Sequence, residues 1–209
     1  MCIRDRAFSE IVLVDNAQCL VKITAIDEDD IWGYTLKAYI ENRSSDKNMM
    51  FSMEDVSVNG LMCDPFWAES VKAGAKSNTD ISFSNSALER SGISQITEIS
   101  GTIRVHDDDD WMADDYVNEA FQIYPMGEAA ASDSVAENVE GDVIFENEQC
   151  KMTALGWRMD DVWGFTVDVY LENRSENTLM FSIDGATING FMCDPFLSLI
   201  HISEPTRLQ

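Results

Sequence analysis

The sequence predicts an all-β protein that contains one complete two-sheet antiparallel sandwich and the first half of a second. Apolar and polar residues alternate over many short segments, which is typical of half-buried strands. Turn-forming residues separate these segments about every ten positions, the spacing expected of a sandwich. A long stretch also occurs twice, as DDIWGYTLKAYIENRSSDKNMMFSMEDVSVNGLMCDPF (29–66) and DDVWGFTVDVYLENRSENTLMFSIDGATINGFMCDPF (160–196).

The alternation is clearest in the segment 33–42, where one parity is apolar and the other is mostly polar. The second copy keeps the parity, so the apolar side predicts the core face of a strand. The inward residues are Tyr34, Leu36, Ala38 and Ile40 in the first copy, and Phe165, Val167, Val169 and Leu171 in the second.

Turn signals predict how the strands connect. Asn59-Gly60 and Asn189-Gly190 indicate tight hairpins, because type I′ turns need two residues at positive φ. Pro65 makes the strand before it short or peripheral. Ser86 and Glu89 match a capping box, with Gly92 closing one short helix. The remaining strands are predicted over 19–25, 48–58, 75–84, 99–105 and 117–124.

The spacing of the repeat predicts the domain organisation. Trp32 and Trp163 lie 131 residues apart, which is the size of a whole domain. We predict a complete domain over 7–125, an acidic flexible linker over 126–141 and half a domain over 142–196. The half domain lacks the partners of its apolar strand faces, so we expect it to be unstable alone.

The sequences of the two termini indicate that these segments do not come from the same gene as the rest of the chain. Residues 1–6 and the start of 197–209 can be encoded by reverse-complementary DNA strings that look like a sequencing-library adapter. We therefore interpret both segments as adapter-derived in a metagenomic fragment, and exclude them from fold reasoning. Under this interpretation the chain is a fragment whose signal segment is not covered.

The charge of the chain narrows its partners. Its 209 residues carry a formal net charge of −24. Such a surface repels nucleic acid and anionic lipid, so neither is an expected partner. No uninterrupted apolar run reaches the length of a membrane span, and we expect no direct membrane insertion.

The cysteines recur at matching places in the two copies, as Cys19 with Cys63 and Cys150 with Cys193. Two per domain without a CxxC motif is a poor zinc pattern and favours a disulfide in each copy. Disulfides would place the protein outside the cytosol. Buried free thiols are the alternative, since free cysteine is itself a core residue.

Acidic clusters are the only candidate metal ligands. Calcium binds six to eight oxygens that converge from loops. The clusters lack the DxDxDG spacing, and the second copy carries Arg158 in the matching place, so we favour solvated loops and predict no cofactor. The calcium candidates are Asp27, Asp29, Asp30, Asp107, Asp108, Asp109 and Asp110.

Aromatic residues offer a second candidate site. Trp32, Trp67 and Trp111, with Tyr39, could form a platform for sugar rings, but we expect Trp32 and Trp67 to pack in the core or at sheet ends. His106 is predicted to be a surface residue. No nucleophile motif or glycine-rich phosphate loop occurs, and the sequence therefore predicts a protein that is not an enzyme.

Four segments carry a resemblance to a family: WGYTLKAYIENRS (32–44), MMFSMEDVSVNGLMCDPFWA (49–68), ISFSNSALERSGI (81–93) and RVHDDDDWMADDYVNEAFQIYP (104–125). They resemble tandem immunoglobulin-like domains of unknown function in secreted proteins and lipoproteins of Gram-positive, often gut, bacteria. The resemblance implies an extracellular or cell-envelope module that acts as a spacer or protein-interaction domain. The alternative is a ligand-binding module for glycan or calcium. The expected partner is a protein or a glycan at the envelope.

Overall fold

The protein is described by a computed structural model, which covers residues 9–65, 67–131, 140–160, 162, 164–193, 195, 200–202 and 207–208. The chain divides into two compact units, Met1–Val135 and Ala136–Gln209. Each unit is all-β and its sheets are antiparallel. No helix in the described ranges is both long and apolar enough to cross a membrane.

The first sheet of unit 1 has the order β1-β2-β3-β7. Its central strand β3 buries the predicted parity, because Tyr34, Leu36, Ala38 and Ile40 face the core. The first strand, β1, was not predicted, since its short apolar run shows no alternation. The four strands are β1 (Ile11–Asp15), β2 (Cys19–Asp27), β3 (Tyr34–Asn42) and β7 (Lys76–Phe83).

The second sheet of unit 1 has the order β5-β4-β8-β9, with β6 also paired to β4. The predicted Asn59-Gly60 hairpin joins β4 to β5, with φ of 51° and 77° at its two residues. The strands are β4 (Met49–Val58), β5 (Leu61–Met62), β6 (Ala68–Val71), β8 (Ile99–Asp107) and β9 (Val117–Ile123).

Both sheets contribute to one apolar core, which makes unit 1 consistent with a β-sandwich. Leu36, Ile40 and Ile81 enter it from the first sheet, and Phe51 and Ile103 enter it from the second. All five side chains are fully buried. Burial of each contributes about 1.5–3 kcal/mol relative to exposure, so the core stabilises the pairing of the two sheets.

The strand directions define two ends of unit 1. β3 ends at Asn42, and a short loop leads directly to Met49, which pairs with Asp107 at the end of β8. We call this the loop end. The opposite end holds the start of β3 and the pair Val58–Ile99, and we call it the helix end because helix α1 (Asn85–Arg90) follows β7 there.

Helix α1 differs from its prediction at the first turn. Its N-cap is Ser84, without a side-chain capping bond, so the predicted capping box of Ser86 and Glu89 is wrong. Both residues lie inside the helix. Its C-terminus follows the prediction: Gly92 has φ of 66°, and Ile93 N–H donates to Leu88 O at 2.9 Å, which is the Schellman pattern. A second helix, α2 (Glu128–Ala131), follows β9.

Unit 2 has a sheet of order β10-β11-β12-β17 and two small strand pairs, β13 with β16 and β14 with β15. β16 and β17 fall in the segment 197–209, which the sequence predicts to be adapter-derived. An unpaired strand edge accepts hydrogen bonds from any extended segment. The strands are β10 (Asp142–Glu146), β11 (Cys150–Asp160), β12 (Gly164–Asn173), β13 (Leu179–Phe181), β14 (Thr187–Ile188), β15 (Phe191–Met192), β16 (Ile200–Ile202) and β17 (Arg207–Leu208).

The first three strands of the two units have the same register. Cys19 pairs with Asn42 in unit 1, and Cys150 pairs with Asn173 in unit 2. The bulge in β1–β2 between Val12 and Val14 recurs between Val143 and Phe145. The pairings of these strands therefore recur at a constant offset of 131 residues.

Candidate functional site

The predicted calcium ligands are split between the two ends of unit 1. Asp27, Asp29 and Asp30 lie at the helix end, because Asp27 pairs with Thr35 near the start of β3. The run 107–110 begins at the loop end, where Asp107 pairs with Met49. Within the described residues, no group of three or more carboxylate, histidine or cysteine side chains is arranged to hold a metal ion.

Most of these carboxylates are already engaged by donors from the protein. Asp30 accepts from Trp32 N–H at 3.0 Å and from Lys37 Nζ at 3.2 Å, and these two contacts lower its pKa. Asp110 accepts from Met112 N–H at 3.2 Å. Asp30 and Asp110 thus each close their own loop in an Asx-type turn.

Asp107 is the most buried of the set, with 2% of its surface exposed. Lys47 Nζ lies 2.9 Å from its Oδ2 and is the largest cause of its lowered pKa. Asp109 N–H and Tyr116 OH donate to it at 3.0 Å and 3.2 Å. Asp107 thereby links β8 to the β3–β4 loop through Lys47 and to the β8–β9 loop through Asp109 and Tyr116. This is a structural role.

The four cysteines in the described part of the chain are free thiols, and neither of the predicted disulfides is formed. Cys19 pairs with Asn42 at the loop end, whereas Cys63 N–H donates to Val56 O near the helix end. β4 rises about 3.3 Å per residue, so roughly 20 Å separates these levels, while a disulfide needs Cα atoms within about 7 Å. The pairing Cys19–Cys63 is therefore a wrong prediction for this structure.

The second pair of cysteines is also unbridged, with Cys150 half-buried and Cys193 exposed. The free-thiol alternative describes the first copy, because Cys19 and Cys63 are both buried and burial raises the pKa of each to about 11. Sequence spacing did not reveal this, since it gives no information on which end of a strand a residue occupies.

The three candidate tryptophans of unit 1 do not form a common platform. Trp67 is buried, and its Nε1–H donates to Thr79 Oγ1 at 3.2 Å, as expected of a packed residue. Trp32 is 73% exposed, so the expectation that it packs is wrong. Trp111 is 75% exposed, but it follows β8 at the loop end while Trp32 precedes β3 at the helix end.

His106 is half-buried in β8, opposite Met50. Its Nδ1 is buried without a hydrogen-bond partner among the described residues. His106 is predicted to be a surface residue, and the structure places it half-buried, so the prediction is only partly met.

A cavity of about 620 Å³ lies at the helix end. Three segments distant in sequence form its walls: the β2–β3 loop with Tyr34, helix α1 with the turn after it, and Met126 beyond β9. Leu88 and Ile96 supply apolar surface, and Glu28, Asp29 and Glu89 supply carboxylates. Sequence reasoning missed this cavity, because no local pattern shows that these segments converge.

Tyr34 forms part of the cavity wall and is 8% exposed. Its hydroxyl is buried and has no hydrogen-bond partner among the described residues. Burial raises the pKa of Tyr34, and the charge of Glu28 raises it further. A buried hydroxyl without a partner costs free energy, and this one is shielded from solvent although the Tyr34 side chain lines the cavity.

Neither a family model, nor a curated protein, nor a solved structure matches the chain.

Proposed function

We propose that the chain is a non-enzymatic protein of the cell exterior or envelope, built from immunoglobulin-like modules that bind a protein partner. The strand order of unit 1 supports the module class. Immunoglobulin sandwiches keep strands G, F and C adjacent in one sheet and pair B with E in the other. In unit 1, β9-β8-β4 and the pair β3–β7 take these places.

The recurring register of the first three strands carries the proposal. A shared sequence motif alone could be a local site, but here the pairings and the bulge recur together at an offset of 131 residues. This favours duplication of a whole folding unit. The family resemblance alone supports an extracellular location. Disulfides would also have supported it, but the cysteines are free thiols.

The path of the chain favours an interaction role over a spacer role. β1 runs toward the loop end, because Asp15 pairs with Leu20, and the chain therefore enters from the side of the helix end. β9 finishes at Ile123, which pairs with Ile99 at the helix end. A module whose chain enters and leaves on the same side projects its loop end sideways, whereas a linear spacer needs its termini at opposite ends.

Pulling the full chain by its termini in a single-molecule force experiment tests this role. Force applied from the same side peels β1 from β2 and β9 from β8, one hydrogen bond at a time. We expect unit 1 to yield stepwise at low force. A single unfolding event at high force that releases the whole unit would contradict the interaction role and favour the spacer role.

A ligand-binding module is the second candidate function, and the cavity at the helix end favours it. The melting temperature of the full chain tests whether the ligand is calcium, because a ligand that binds only the folded state raises the melting temperature. The engaged state of Asp30 and Asp107 leads us to expect no rise with calcium. A calcium-dependent rise would instead support the acidic loops as a metal site.

A further inference from the structure

One face of the sheet β10-β11-β12 in unit 2 carries a group of exposed apolar side chains. Met159 pairs with Phe165 across β11 and β12. Trp157 pairs with Val167 two positions along, so the two pairs lie side by side on the same face. The ring centroids of Trp157 and Phe165 are 5.7 Å apart, which joins the pairs into one surface. We call these four residues the β11–β12 patch; their exposed fractions are Met159 72%, Phe165 54%, Trp157 71% and Val167 44%.

The difference in covering between the two units explains only part of this exposure. In unit 1, whose first sheet is covered by a second, the positions that match Trp157 and Met159 hold half-buried Ile26 and exposed Glu28. Both positions therefore lie at the margin of a complete sandwich. A tryptophan and a methionine at this margin stay partly accessible even where the sheet is covered as in unit 1.

The charges beside the patch lie on the other face of the sheet. Arg158 and Asp168 alternate with the patch residues along β11 and β12, and they form an ion pair there. The described residues that β11 and β12 place on the face of the patch carry no charge. Such a face gains free energy when another apolar surface excludes water from it, and it gives a charged partner nothing to pair with.

We propose that the β11–β12 patch packs against the same patch of a second copy of the chain, in a dimer with twofold symmetry. In such an isologous contact one surface meets its own copy, so an uncharged apolar face meets another uncharged apolar face. Two apolar sheet faces pack about 10 Å apart, as they do in a sandwich. The second copy thereby supplies a facing sheet for this part of unit 2.

The area of the face sets the strength of the dimer. Phe145 lies on the same face, because it pairs with Met152, and it is 50% exposed. Together with the patch it offers roughly 350–600 Å² of apolar side-chain surface. Stable interfaces bury about 600–1,000 Å² on each partner. The dimer is therefore weak, and the monomer dominates in dilute solution.

The proposal goes beyond the proposed function, because it concerns contacts between copies of the chain. Sedimentation equilibrium of the full chain over a dilution series tests it. We expect a monomer–dimer equilibrium with a dissociation constant on the order of 10–100 µM. The net charge of −24 makes the copies repel each other, so raising the salt concentration from about 0.05 M to about 0.5 M should strengthen the dimer.

Matched variants locate the contact. Trp157→Asp should weaken the dimer at least about tenfold, because it places a charge in the centre of the patch. Trp32→Asp makes the same change at a tryptophan of unit 1 that is 73% exposed, and it should leave the dissociation constant within about twofold. Met159→Glu should also weaken the dimer. It introduces the residue that unit 1 carries at the matching position, Glu28, so the fold tolerates it.

Three results would overturn the proposal. A chain that stays monomeric at every concentration would show that the patch takes no second copy. A dimer that survives both Trp157→Asp and Met159→Glu would use another surface. Equal weakening by Trp157→Asp and Trp32→Asp would show that added charge alone disperses the copies. The force experiment pulls single molecules, so failure here is distinguishable from failure of the proposed module role.

Discussion

The two copies of the β1–β3 segment form the same strand pairs but differ in burial. Leu36 is fully buried, whereas Val167 at the matching position of β12 is 44% exposed. Tyr34 is 8% exposed and its counterpart Phe165 is 54% exposed. The register of three antiparallel strands is therefore encoded locally, whereas full burial of their apolar face requires a second sheet: on the matching face of β12, Leu171 is 1% exposed but Phe165 and Val167 are not buried.

Repeated turn contacts explain why the register is local. Asn16 Oδ1 accepts from the N–H groups of Gln18 and Cys19, and Asn147 Oδ1 accepts from those of Gln149 and Cys150. Asn42 Nδ2 donates to Lys47 O at 2.8 Å across the loop that follows β3, and Asn173 Nδ2 donates to Asn177 O at 2.7 Å. These contacts within the turns help to fix where each strand begins and ends in both units, and in unit 1 Asn42 Nδ2 also donates to Val71 O of the facing sheet at 2.9 Å.

The largest expected difference between the copies concerns independent folding. We predict that a fragment of residues 7–125 melts in one cooperative transition, while a fragment of residues 142–196 shows none. The reason is that the second fragment cannot bury Val143, Phe145 or Trp157, which are all at least half exposed in the full chain. Circular dichroism during heating measures both. A cooperative melt of the second fragment would break the comparison.

Truncation of equivalent core-face residues should give the next largest difference. Leu36→Ala should lower the free energy of unfolding by about 2–5 kcal/mol, because it leaves a cavity in a packed core. Val167→Ala should cost about 1 kcal/mol or less, since its side chain is partly solvated. Urea denaturation of the full chain compares them. A similar cost for both would mean that the face of β12 is covered in solution.

The glycine that opens β3 gives a smaller, more local difference. Gly33 has φ of 120°, and a Cβ there would lie 2.0 Å from Phe83 O and 2.9 Å from Asn85 N. Gly164 has φ of 73° and no heavy atom within 4 Å of such a Cβ. We predict a cost of about 2–3 kcal/mol for Gly33→Ala and about 1 kcal/mol for Gly164→Ala. Equal losses would show that φ alone, and not contact with β7, restricts both positions.

The sequence could predict the local features of the fold but not the long-range ones, in line with the comparison of the two copies. Alternation and turn residues are local, so strands β3, β4 and β7 and the Asn59-Gly60 hairpin were predicted correctly. The separation of Cys19 from Cys63, the exposure of Trp32 and the convergence of Glu28 with Glu89 depend on which ends of different strands meet. These are long-range properties of sheet order, and no local period encodes them.

The ion pair of Asp107 with Lys47 has no counterpart in the described part of unit 2, and it predicts an effect of pH on stability. The folded-state pKa of Asp107 is lowered, first by Lys47, so its ionised form stabilises the fold above the unfolded pKa of about 4. This contribution is lost as pH falls through the folded pKa. Asp107→Asn should therefore flatten the loss of unit 1 stability below about pH 4, measured by urea denaturation. Asp114→Asn, at an exposed position, is the matched control for removal of one carboxylate.

Thiol labelling compares the copies without changing the stability of either. Burial raises the pKa of Cys19 and Cys63 from 9.0 to about 11, which lowers their thiolate content about a hundredfold at pH 8. We predict that iodoacetamide labels exposed Cys193 first and half-buried Cys150 next, while Cys19 and Cys63 react only after unfolding. Peptide mass spectrometry measures the order. A linked Cys19–Cys63 peptide would contradict the structure, because it would require the loop end and the helix end of unit 1 to meet.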